Sequence, residues 1–126
     1  MRFILIFFFL FSSLYAVEIE WADDYRSALK AAKKEHKDVM FMFSKESCQI
    51  CEDLSEKVFT DEDFVNYINK NYISLEIDIE YDSRRGYKVY STPTFYFVTP
   101  PKKVIGHIVV ERGDIDSFIE KVKAIK

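Results

Sequence analysis

Cys48 and Cys51 are the only cysteines in the chain, and they stand in the run SKESCQICEDL with only Gln49 and Ile50 between them. Before them lies DVMFMF (Asp38 to Phe43), whose five consecutive apolar residues are too few for a helix and suit a central strand covered on both faces. After them, Leu54 and Val58 follow Cys51 at i+3 and i+7, the spacing of one helical face. Two thiols are thereby placed where a buried strand gives way to a helix. Such a pair admits three readings: a structural staple, half of a metal site, or a reactive couple.

The first two are weak on chemical grounds. Stabilisation by a disulfide grows with the loop it closes, and a two-residue spacer closes almost none. A zinc or iron site needs about four ligands, and the remaining candidates are His36, late in a helical stretch, and His107, inside a strand pattern. Neither stands at ligand spacing from the pair, so no metal and no organic cofactor is expected. The reactive reading has a physical cause. A thiol at a helix N-terminus faces unpaired backbone N–H groups and the positive end of the dipole, which stabilise its thiolate. Cys48 is then the attacking sulfur. Cys51, one turn later, is placed to attack a mixed disulfide formed through Cys48, and it shares a face with Leu54 and Val58, so it is expected to be the more buried of the two.

The rest of the chain supplies a frame for this junction. VEIEW opens the folded part as a short strand, and Ala22 to Lys37 carries Tyr25, Ala28, Leu29 and Ala32 at helical spacing with Asp23 or Asp24 as a cap. TDED starts a further helix, capped by Thr60 or Asp61, with Phe64, Val65 and Ile68 facing inward. YISLEIDI (Tyr72 to Ile79) alternates as a strand, and YKVYS reads as a short helical piece. TFYFV and VIGHIVV suit an antiparallel hairpin across Thr99 to Lys103, and Ile115, Phe118, Ile119 and Val122 form the face of a last helix after Gly113. The expected fold class is α/β, a three-layer α/β/α arrangement with helices on both faces of a central mixed sheet. Residues 17–126 make one domain, since 126 residues are too few for two.

Residues 1–16 have a different character. Arg2 precedes an unbroken apolar run from Phe3 to Phe11, followed by two serines and the small residue Ala16, the layout of a secretory signal peptide cleaved after Ala16. The run is about half of the roughly 20 residues that a spanning helix needs, so no lasting membrane anchor is expected. Export to the periplasm or beyond would place the thiols where disulfides form. A net charge of −3, with Lys and Glu interspersed, leaves no basic stripe for nucleic acid. The densest basic stretch, KAAKKEHK, reads as the solvated face of the first helix.

A strand followed by Cys-x-x-Cys opening a helix within a βαβ unit resembles the thioredoxin-like redox signature. VYSTPTFYF (Val89 to Phe97) resembles the segment in which thioredoxin-fold proteins hold a cis Thr-Pro bond facing the cysteines. The resemblance implies a thioredoxin-like fold, a cis Pro93, and Thr92 offering backbone hydrogen bonds to a bound polypeptide. It also implies thiol-disulfide exchange with protein dithiol or disulfide substrates. More narrowly, CEDLSEKVFTDEDFVNYINKNYISLEIDI is similar to the branch holding periplasmic thioredoxin-like proteins and the C-terminal domain of the membrane thiol transporter DsbD. That suggests a membrane thiol reductase of the DsbD type as a partner.

The chain also departs from the family. Ser47 stands where thioredoxins carry Trp, Gln49-Ile50 replaces Gly-Pro, and Met42 occupies the strand position where many relatives keep a buried acid. Proton transfer at Cys51 then needs another route, through water or Glu46. Glu46, Glu52 and Asp53 crowd the motif with negative charge, which either caps the helix start or disfavours the thiolate and makes the protein a reductant. Tyr87 and Tyr90 are candidates for the rim of a substrate groove. The competing reading is a binding module that docks a periplasmic partner through the same groove with little redox turnover.

Overall fold

The computed structural model describes residues 17–125; the expected signal peptide, residues 1–16, lies outside the described residues. Eight elements follow in order: α1 (Tyr25–Glu35), β1 (Asp38–Ser44), α2 (Gln49–Lys57), α3 (Glu62–Asn71), β2 (Tyr72–Asp78), β3 (Thr94–Thr99), β4 (Lys103–Val109) and α4 (Ile115–Lys123). The strands form one sheet in the order β2-β1-β3-β4. β1 runs parallel to β2 and antiparallel to β3, and β3 is antiparallel to β4, so the sheet is mixed. The βαβ unit expected around the cysteines is present, with α2 and α3 together forming its crossover.

β1 is central, and both of its faces are buried. Val39, Phe41 and Phe43 join a core with Ala28 and Ala32 of α1 and with Leu75 and Ile77 of β2. Met40 and Met42 point the other way, into a core with Leu54 of α2, Phe64, Val65 and Ile68 of α3, and Phe118 and Val122 of α4. Period-2 alternation on a strand apolar on both faces therefore divides the hydrophobic side chains between two helical layers. The helix starts are held locally. Asp24 Oδ1 accepts the Ser27 N–H at 2.7 Å and Asp61 Oδ1 accepts the Phe64 N–H at 2.9 Å, each satisfying an orphan donor of the first turn. Gly113, at φ +100°, makes the turn before α4 that a side chain would strain.

Two expected elements are absent. VEIEW makes a single bridge, Trp21 to Ser74, in place of a strand. Its backbone is satisfied by a side chain, because Asn69 of α3 donates to the Glu18 carbonyl at 2.9 Å and accepts from the Glu20 N–H at 3.1 Å. YKVYS is not helical. Tyr87 and Val89 are buried while Lys88 and Tyr90 are exposed, an alternation that belongs to extended chain and covers the α1 face of the sheet. Among the described residues, no helix is long and apolar enough to cross a membrane.

Candidate active site

Cys48 is the N-cap of α2, in extended conformation, and Cys51 lies in the first turn of that helix. The two are joined by a disulfide with a Cα separation of 5.2 Å. The Cys51 N–H donates to Cys48 Sγ at 3.2 Å, so the sulfur occupies the place that a serine or aspartate oxygen takes in an ordinary cap. The helix is anchored beneath by Leu54, which is fully buried, and Ile50 packs against the same core. Gln49 turns outward to Asp53, its Nε2 donating to Oδ1 at 3.1 Å. Of the residues that set this motif apart, Ser47 and Gln49 are thus on the surface and Ile50 is part of the packing.

The expected difference in burial between the two cysteines is corrected. Cys48 is 6% exposed and Cys51 8%, because the exposed loop Lys45 to Ser47 turns the cap residue inward onto the same core. What distinguishes the sulfurs is hydrogen bonding: the cap sulfur accepts the Cys51 N–H, and Cys51 lies inside the first turn.

Thr92 and Pro93 stand at the same end of the sheet. Thr94, the first residue of β3, pairs with Phe43, the penultimate residue of β1, so the Thr92–Pro93 segment lies level with the strand end from which the cysteine loop departs. The Thr92–Pro93 bond is cis, as the resemblance implied, and Pro100–Pro101 is a second cis bond that nothing in the sequence reading anticipated. The Pro93 carbonyl accepts the Val110 N–H at 3.1 Å, and Thr94 Oγ1 donates to the Ser91 carbonyl at 2.7 Å, which fixes the loop from both sides. The two tyrosines before it part company. Tyr90 is 90% exposed beside this loop, but Tyr87 is a core residue, its ring 5.6 Å from Phe41 and 4.8 Å from Tyr96.

A cleft of about 260 Å³ opens beside the disulfide, lined by both cysteines together with Met42, Ser44, Glu46, Glu52 and Glu76 among others. Met42 and Glu76 are paired across β1 and β2 and so point to the same face of the sheet. Ser44 Oγ donates to Glu76 Oε1 at 2.8 Å. Ser44 and Glu76 were not singled out from the sequence, where Glu76 sits in the polar half of an alternating strand; only the register with β1 shows that it shares a face with Met42 and borders the cleft beside the cysteines. A larger open groove, about 820 Å³, runs along α1 past Arg26, Lys30, Lys33 and Arg85 and includes neither cysteine. Among the described residues, no group of three or more His, Cys, Asp and Glu side chains is gathered to hold a metal. His36 closes α1 in the left-handed region at φ 56°, and the His107 ring stacks on Tyr96 at 4.4 Å.

Residues 25–122 match the family described as the thioredoxin-like domain. Among solved structures, a Bacteroides thetaiotaomicron protein described as a candidate disulphide isomerase is similar over 86% of this chain and 93% of its own, at 28% identity and a TM-score of 0.74. A thioredoxin from Thermus thermophilus is 22% identical over 85% of this chain and 88% of its own, with a TM-score of 0.69. A DsbH oxidoreductase is 19% identical over 86% and 85%, with a TM-score of 0.66. The last two carry the fold alone. No curated protein matches the chain significantly. These similarities carry the thioredoxin-like assignment and not the narrower resemblance to the DsbD domain.

Proposed function

We propose, from the premise that this chain belongs to the thioredoxin-like domain family, that it is an exported thiol-disulfide oxidoreductase that reduces disulfides in protein substrates. The observation that carries the reading is the cap of α2, where Cys48 Sγ accepts the Cys51 N–H of the first turn and is bonded to the sulfur of that same residue. In the reduced protein that N–H and the positive end of the helix dipole stabilise a Cys48 thiolate. That thiolate attacks one sulfur of a substrate disulfide, and the other substrate sulfur leaves as a thiolate. Cys51 then attacks Cys48 Sγ, the bond between Cys48 and the substrate breaks, and the substrate is released as a dithiol while the pair becomes the disulfide. Two electrons pass from the pair to the substrate.

Thr92 and Pro93 border the same end of the sheet and would align the substrate backbone. Tyr90 adds an exposed aromatic surface beside them. The 28% identical relative described as a candidate disulphide isomerase supports chemistry on protein disulfides. Export rests on the residue pattern of positions 1–16, and the resemblance to the DsbD domain suggests a membrane thiol reductase of that type as the electron source.

Insulin reduction in the presence of a small dithiol tests the activity: the wild-type protein accelerates it and Cys48→Ser does not, whereas equal rates would falsify the enzyme reading. Expression of Cys51→Ser in the native host should trap substrates as mixed disulfides on Cys48, recoverable from the exported fraction. Alkylation of the reduced protein should modify Cys48 first, and the reverse order would exchange the two roles.

A further inference from the structure

Turnover by this route requires Cys51 to lose a proton each time it attacks, and its surroundings on the core side are apolar. Met42 lies beneath α2 in the same cluster as both cysteines, and the one carboxylate of β1, Asp38, sits at the opposite end of the strand, bonded to Thr99. The cleft beside the disulfide offers four: Glu46 from the loop, Glu52 and Glu56 from α2, and Glu76 from β2, with Lys45 as the cation among them. Their geometry separates them. At about 100° per residue, Glu52 is turned roughly 100° and Glu56 roughly 140° around the helix axis from Cys51, and Glu46 belongs to an exposed loop. Glu76 rises from the sheet opposite Met42, on the face that carries α2. One of its oxygens is fixed by the hydroxyl of Ser44, itself only 4% exposed, which leaves the other free to face the cleft. Glu76 is also open to solvent, as a group must be if it is to discharge a proton and act again.

We propose that Glu76, positioned by Ser44, is the group that receives the Cys51 proton through the cleft when Cys51 attacks the mixed disulfide. The proposal rests on the oxidoreductase reading above and assigns that reaction its proton. As the Cys51 S–H bond breaks, its proton passes to the Glu76 carboxylate, directly or through water in the cleft. The Cys51–Cys48 bond then forms, the substrate sulfur leaves with the electron pair, and Glu76 returns the proton to solvent.

An aromatic disulfide such as dithiobis(nitrobenzoate) separates the two steps in a stopped-flow experiment. The first equivalent of coloured thiolate reports attack by Cys48, and the second reports attack by Cys51. The released thiolate needs no proton, so the second phase reads the loss of the Cys51 proton alone. In Glu76→Gln the ratio of second-phase to first-phase rate should fall roughly 10²-fold at neutral pH, the low end of what positioned proton transfer contributes, and recover as pH rises. Ser44→Ala should give a smaller fall and Glu76→Asp a partial rescue.

The sign decides between this role and a purely electrostatic one. Removing a negative charge near a thiol favours its thiolate, so a Glu76 that acted only through its charge would give a faster second phase in the Gln variant. A second phase that is unchanged or faster in Glu76→Gln overturns the assignment and leaves the oxidoreductase reading standing. A wild-type protein that shows no second phase overturns both.

Discussion

The cap geometry and the short ring together set the sign of a redox-linked stability difference. By a closed thermodynamic cycle, the difference in folding stability between the oxidised and reduced proteins equals the difference in disulfide free energy between the folded and unfolded chain. Cross-linking Cys48 to Cys51, at a sequence separation of 3, removes unfolded-state entropy equivalent to about 2 kcal/mol. Against this, the reduced protein gains up to about 1 kcal/mol from a Cys48 thiolate at the N-terminus of α2. Glu46 and Glu52 take back part of that gain, since exposed carboxylates close to a thiolate oppose it by about 1 kcal/mol or less. The oxidised form should therefore be more stable by about 1 to 2 kcal/mol. That makes the folded pair a stronger reductant than the same motif in an unfolded chain by about 20 to 40 mV. Urea unfolding with and without a phosphine reductant gives the first quantity, and equilibration against glutathione gives the second. The two must agree through the cycle. Replacing Glu46 and Glu52 together by Gln should shift both toward the reduced form. A reduced protein more stable than the oxidised one would refute the reasoning and make the protein an oxidant.

Leu54→Ala empties a fully buried position under the cysteine helix and should cost about 2 to 5 kcal/mol in thermal or urea unfolding, with a loosened α2 visible as faster amide exchange at Cys51; a loss below about 1 kcal/mol would mean that α2 is not anchored there. Asp61→Ala removes the oxygen that caps α3 and should cost about 1 kcal/mol, while Asp61→Ser should retain most of it. Burial pushes Tyr72 and Tyr87 up to about 12, so each favours the folded state fully below the ordinary tyrosine value near 10, and that contribution is lost as pH rises from about 10 to 12. Absorbance titration should show these two ionising only above the rest, in step with unfolding, and a single midpoint near 10 for all tyrosines in folded protein would contradict this. Among the described residues the buried Tyr87 hydroxyl has no hydrogen-bond partner, so Tyr87→Phe should be neutral or stabilising at pH 7 and reduce the alkaline loss.

Much of this molecule is legible from local pattern because its determinants are local. The helices α1 and α4 announce themselves through i, i+3, i+4, i+7 spacing, α3 through Phe64, Val65 and Ile68 on one face, and α1 and α3 also through their aspartate caps. β1 shows itself as an unbroken apolar run that only a doubly covered strand can use. The cysteines at the strand-to-helix junction and the Thr-Pro before β3 were likewise readable, since each is a short motif.

The misreadings share a different cause, which is dependence on a partner distant in sequence. VEIEW has the composition of a strand, but Asn69, about fifty residues away, takes up its backbone groups, and a side chain can serve one or two of them where a strand would serve a row. Tyr87 looked like a rim residue from its neighbours in sequence, yet Phe41, Phe43 and Tyr96 close around its ring.

Glu76 is the sharpest case. In YISLEIDI the isoleucines and Leu75 define an apolar face, and a reader of the sequence assigns Ser74, Glu76 and Asp78 to water. In the fold that apolar face meets α1, while the other is covered by α3 and borders the cleft beside the cysteine helix, so Ser74 is buried at 1% exposure and Glu76 opens into the cleft. A polar residue on a two-sided strand carries no label saying which layer it faces. The register with β1 supplies that label, and it sets a carboxylate opposite Met42, one strand over from the position where many relatives keep their acid. An acid absent from one strand and present on its neighbour is invisible to position-by-position comparison with the family. It is a natural outcome in a parallel pair, because in-register neighbours point to the same face at a spacing of about 4.8 Å, within reach of one glutamate side chain.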